Sequence, residues 1–178
     1  MTAGVHNRIG ISTALDLIQL FWPDFAESDG CVFAQFQWSG KYTGDFIDKT
    51  QTECFINHTH ILMLFRNRAT FAMAEPVSAE LSVREEIYDE AHPDFVAACL
   101  TGRTMARMWA IKLKHDFPTA RFRVYYTQYD NPIVRFHMVR PNEPLWIDNA
   151  GLLKATDPSF RSAIIFDTDN LDAPIEKL

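Results

Sequence analysis

The chain is poor in cysteine, in long apolar runs and in recognisable catalytic signatures, and each shortage excludes something. Three cysteines in 178 residues (Cys31, Cys54 and Cys99) are an odd number, and no two form a C-x-x-C pair. A disulfide framework or a zinc ribbon is therefore not expected. Each thiol has apolar neighbours, which predicts small buried side chains in a reducing, cytoplasmic setting. No run of 18 apolar residues occurs, so no membrane span is expected. Met1–Gly10 carries Arg8 and no apolar core, so no secretory signal is read there. H-E-x-x-H is absent, no Ser, Cys or Thr stands in a nucleophile elbow, and the glycines of Ser39–Gly44 lack the spacing of a phosphate-cradling loop. Repeats and low-complexity tracts are also missing.

Positive charge is scarce overall and unevenly placed. The net charge is -6, which disfavours a general nucleic-acid binder. From Asp94 to Arg140, eight Lys and Arg face three acids, giving +5; the remainder has nine against twenty, giving -11. Arg121-Phe-Arg-Val-Tyr-Tyr126 mixes aromatics with cations, but no RNP-type run accompanies it.

What is abundant is large apolar side chains: 14 Phe, five Tyr and four Trp in a chain that is 47% hydrophobic. That supply suits one packed domain, read as residues 12–166, between a flexible arm (1–11) and a flexible acidic tail (167–178). Thr13-Ala-Leu-Asp16 resembles a capping box, and the helix it opens stops at Pro23. Asp29-Gly30 marks a turn, and Cys31–Trp38 alternates as a strand. Thr50-Gln-Thr-Glu53 is a second capping box. Cys54, His58, Ile61, Leu62 and Phe65 then follow at helical spacing, so a helix is expected over 51–66. The stretches 68–75 and 80–89 read as a hairpin. Pro93 opens a long helix with the stripe Phe95, Cys99, Gly102, Ala106, Trp109 and Leu113. Arg121–Gln128 and Pro132–Arg140 form a second hairpin. Trp146 and Ile147 could extend a strand, and Ser162–Phe166 is a last short one.

The order implies an α+β fold: an antiparallel sheet with helices mainly on one face, in ferredoxin-like order, with an extra N-terminal helix and C-terminal strands. The alternative is a cone of the nuclear-transport-factor type, favoured if 60–65 is a strand. In the first arrangement the uncovered sheet face is left to solvent or to a second copy, so a homodimer is expected.

Register supplies the site. Pairing Val124 with Phe136 puts Phe122, Val124 and Tyr126 on the same face as Val134, Phe136 and Met138. Arg123, Tyr125, Arg135 and His137 then share the opposite face, with Tyr125 across from Arg135 and Arg123 across from His137. Two guanidiniums beside a phenol and an imidazole suit a small anionic or aromatic molecule, with Arg123, Tyr125 and Arg135 as the binding residues. His137 is the candidate acid or base near neutral pH, and Glu85, in phase with Leu81, Val83 and Ile87, is the second. This alternative is a cofactor-free enzyme of lyase or isomerase type. A third reading is an oligomeric interaction protein without a ligand. His58-Thr-His60 would aim both imidazoles to one side on a strand and apart on a helix, so the expected helix argues against a metal pair. Cofactors, metals, nucleic acid and membrane are not expected.

Overall fold

A computed structural model describes residues 10–41, 46–65, 70–73, 86–128, 131–149 and 162–177. The order of elements is α1 (Ile11–Phe21), β1 (Phe25–Ser28), β2 (Cys31–Ala34), α2 (Lys49–Ile56), β3 (Thr59–His60), α3 (Ile61–Leu64), β4 (Thr70–Met73), β5 (Glu86–Tyr88), α4 (Pro93–Asp116), β6 (Phe122–Gln128), β7 (Pro132–Met138), β8 (Ser162–Asp167) and β9 (Asn170–Lys177). The fold is α+β. No described helix is long and apolar enough to cross a membrane.

The central sheet has five strands in the order β3-β7-β6-β8-β9, each pairing antiparallel. The β6–β7 register is the expected one, with Val124 opposite Phe136, Tyr125 opposite Arg135 and Arg123 opposite His137. One face carries Phe122, Val124, Tyr126, Val134, Phe136, Ile164 and Phe166 into the main core. Alternation at period two makes this face continuous across three strands.

Helix α4 closes that face. His92 caps its first turn, its Nδ1 accepting from the Asp94 amide at 3.1 Å, with Pro93 behind it. Phe95, Ala98, Met105, Ala106, Trp109, Ala110 and Leu113 form its buried stripe. Trp109 Nε1 donates to the Leu20 carbonyl at 2.8 Å, fastening the end of α1 to α4. Gly102 lets the helix approach the sheet: a Cβ there would stand 2.8 Å from the Tyr126 ring and 3.2 Å from Ile61.

Several expectations give way. The described strands divide into three sheets rather than one ferredoxin-like sheet, because Cys31–Ala34 pairs with an unforeseen neighbour, β1, and β4 pairs only with β5. Asp29 (φ 52°) and Gly30 (φ 73°) are both left-handed, as a two-residue hairpin turn requires. Strand β2 ends at Ala34 instead of Trp38, because the amides of Gln37 and Trp38 turn back to the Ala34 carbonyl. Helix α1 begins after Gly10, which leaves Thr13 and Asp16 exposed inside it rather than capping it.

The expected 51–66 helix is two short helices joined by an extended link. Asp48, not Thr50, caps α2, accepting from the Gln51 amide at 2.7 Å. Asn57 stops it: its side chain accepts from the Ala34 amide (2.9 Å) and donates to the Val32 carbonyl (3.0 Å). The chain then runs extended, and Thr59 and His60 pair with Val134 and Ile133. The C-terminal correction is larger. Asn170–Lys177, expected as part of a flexible acidic tail, is strand β9 on the sheet edge. Leu171 packs on the main core and Ile175 on the cluster around Tyr125, and Pro174 is tolerated because an edge strand has one unpaired side. Trp146 and Ile147 lie outside any strand, in irregular chain after β7.

Candidate functional site

The sheet face away from α4 holds the four predicted side chains, and they meet different fates. Arg123 is buried, with Nη1 donating to Asn149 Oδ1 at 2.9 Å and Nε facing Asp167 at 3.4 Å. Tyr125 and His137 are fully enclosed and bonded to each other, Oη to Nε2 at 2.8 Å. His137 Nδ1 meets the Met138 carbonyl at 2.8 Å. A carbonyl only accepts, so the proton sits on Nδ1 and Nε2 accepts from the phenol. Burial lowers the His137 pKa to about 4, so the ring is neutral near pH 7. Both nitrogens are thereby committed to the fold. Glu85, the other candidate acid or base, lies outside the described residues.

Arg135 is different. It is half-buried, and its Nε is enclosed without a hydrogen-bond partner. Its Nη2 reaches His58 Nε2 at 3.3 Å, and its guanidinium lies 5.2 Å from the centre of the Trp146 ring. No described carboxylate pairs with it. Burial lowers its pKa, although the guanidinium stays charged at any ordinary pH.

The extended link brings the two histidines here. Thr59 stands opposite Val134, so its side chain joins the α4 face; His58 and His60, one step either side, turn to the Arg135 face. Their ring centres are 4.3 Å apart. Since Arg135 can only donate, His58 Nε2 accepts and its proton is on Nδ1. Burial first, and then the charge of Arg135, lower the His58 pKa to about 3. Beside a guanidinium the imidazole pair makes a poor cation site, and among the described residues no three metal-ligating side chains gather.

The segment 139–149 lies over this face. Trp146 covers Arg135, Ile147 packs on Tyr125 and Ile165, and Asn149 holds Arg123. A second network anchors its start. Glu53, fully buried on α2, accepts from the amides of Val32 (2.7 Å) and Met138 (2.8 Å), and takes both Arg140 nitrogens at 2.8 Å. Glu143 in turn accepts from the amide and hydroxyl of Thr50. Neither Glu53 nor Arg140 stood out in the sequence. The available signal was the acid three residues after Thr50, which its capping-box reading explained away.

A separate surface groove of about 340 Å³ runs between α4 and β9. Arg103 and Arg107 line one side, Asp172 and Glu176 another, so its charges cancel. Among the described residues, no carboxylate compensates Arg135 in the same way. No family model, curated protein or solved structure matches the chain.

Proposed function

We propose that the chain binds a small organic anion at Arg135, with an aromatic carboxylate as the class that fits the lining best. One observation carries the reading: a half-buried guanidinium whose described partners, His58 and Trp146, are all uncharged. A partly desolvated charge without a counter-ion costs stability, and an incoming carboxylate would offset that cost with charge-assisted hydrogen bonds. Trp146 offers an aromatic face beside the cation, which favours a flat ligand body. Calorimetric titration with benzoate is the test. Binding that disappears in Arg135→Gln while the fold is retained supports the proposal. Absence of binding, or equal binding by the variant, overturns it.

A second reading, assembly into a homodimer, has its own support. Ile11, Leu15 and Ile18 are exposed at helical spacing along α1. Sedimentation of the native chain against Ile18→Glu tests it: a dimer dissociated by the charge supports the reading, and a monomer at all concentrations removes it. The cysteines fit a reducing cytoplasm, since Cys31, Cys54 and Cys99 are all unpaired. Acid/base catalysis by His137 would require its release from both Tyr125 and Met138, which makes it the weaker alternative.

A further inference from the structure

The cluster holds a cation against a neutral acceptor, and an anion that enters must displace one from the other. His58 Nε2 uses its lone pair on Arg135 Nη2, and the His60 ring lies tilted beside it, the ring centres 4.3 Å apart. A carboxylate is a far stronger acceptor than an imidazole, so it displaces Nε2 from the guanidinium. The freed nitrogen then lies next to a negative charge, with the repulsion from Arg135 cancelled. We infer that the anion binds together with one proton, which His58 takes from solvent so that its imidazolium donates to the ligand's second oxygen. This rests on the reading of Arg135 as an anion site and specifies how that site is regulated.

The other charged and titratable groups around it leave His58 as the acceptor. On β7, Arg135 faces the ring, and His137 is bonded on both sides. On β3, the His60 ring lies tilted against that of His58, so a single positive charge is the most the pair holds comfortably. From α2, burial raises the Cys54 pKa, so it stays a neutral thiol. In the covering segment Arg140 and Glu143 belong to the Glu53 network, and Asp148 is the remaining acid. The strongly lowered pKa of His58 agrees with this geometry, because burial and the guanidinium both oppose its charge.

The sign follows from linkage. The bound state holds the extra proton, so affinity rises as pH falls, by about tenfold per pH unit at most for a single site. Benzoate is the probe, titrated calorimetrically at about pH 7.5, 6.5 and 5.5, where it stays ionised, in two buffers of different ionisation heat. Tightening toward low pH with uptake approaching one proton supports the inference, as does loss of that slope in His58→Gln, whatever the variant's absolute affinity. A flat pH profile in the native chain overturns it, and so does a slope that survives in His58→Gln. Histidine NMR on the native chain gives a variant-free check: saturating benzoate must raise the His58 pKa, and an unmoved resonance overturns the inference. If benzoate fails to bind at every pH, the anion site itself is wrong and the inference falls with it, an outcome distinct from binding without proton uptake.

Discussion

Arg135 and Arg140 lie close together in the chain and solve opposite problems. Arg140 forms a two-pronged pair with buried Glu53, and the same carboxylate satisfies the amides of β2 and of the end of β7. Three segments distant in sequence meet at that one side chain. Arg135 has an imidazole, an indole face and an enclosed Nε with no partner. The first arginine completes a network, whereas the second leaves one open. Buried ion pairs add little net stability over an apolar replacement of both partners, but breaking one partner away is expensive. Among the described residues Arg135 has no carboxylate partner, so no such exchange of ion-pair energy is seen at its side chain.

The largest effect should come from breaking the completed network. Arg140→Met leaves Glu53 buried without its counter-ion, so a loss of about 3–5 kcal/mol is expected from denaturant unfolding. A loss below about 1 kcal/mol would erase the contrast between the two arginines. The closed face of the sheet provides the next test. Gly102→Ala gains roughly 1 kcal/mol of helix propensity but drives a methyl into the Tyr126 ring. Overpacking costs typically about 1–3 kcal/mol, so net destabilisation of about 1–2 is predicted by thermal unfolding. A stabilised variant would show that α4 can lift from the sheet, and that the two faces are less different than their packing implies.

These residues also show what the sequence could reveal. The β6–β7 register was legible because a one-residue slip would exchange Phe122, Val124 and Tyr126 for Arg123 and Tyr125 on the buried face. The long helix was legible through Pro93 and its apolar stripe. The link at 57–60 was not, because Cys54, Ile61 and Leu62 are all buried and match one helical period by coincidence of two short helices. What breaks that period is Asn57, whose bonds go to β2, a partner 23 residues away that no local pattern announces. For the same reason the sequence placed Arg135 on the correct face but missed His58, His60 and Trp146 around it. Strand β9 was hidden by composition: its acids face outward, and only Leu171 and Ile175 mark its inner contacts.

A graded effect is expected from acid. His58 and His137 have folded pKa values of about 3 and about 4, both below the ordinary histidine value. Between those values and about 6.5 the unfolded chain binds more protons than the folded one, so stability falls as pH falls. The slope is at most about 1.4 kcal/mol per pH unit for each ring. Asp167 adds a later step. Burial raises its pKa, but Arg121, the Asp169 amide and Arg123 together hold it below the usual value. Its contribution is present above about pH 4 and is lost below that. Urea midpoints measured from pH 7 downward should therefore decline from the start. A plateau down to about pH 4 would mean that neither histidine is held neutral by the fold.

The smallest expected change is the one that separates the two arginines most sharply. Arg135→Met removes a half-buried charge with no carboxylate partner among the described residues, and places a flexible apolar side chain against Trp146. The hydrogen bond lost to His58 is long, at 3.3 Å, and involves a neutral acceptor. Relief from desolvation should offset it, so stability is predicted to stay within about 1 kcal/mol of the native chain, or to rise. His58 should become easier to protonate once the guanidinium is gone, and NMR titration would show this as a pKa above the native value of about 3. Benzoate binding should vanish in the same variant. Were Arg135→Met instead as damaging as Arg140→Met, the guanidinium would be a structural group, and the case for an anion at this face would lose its physical basis.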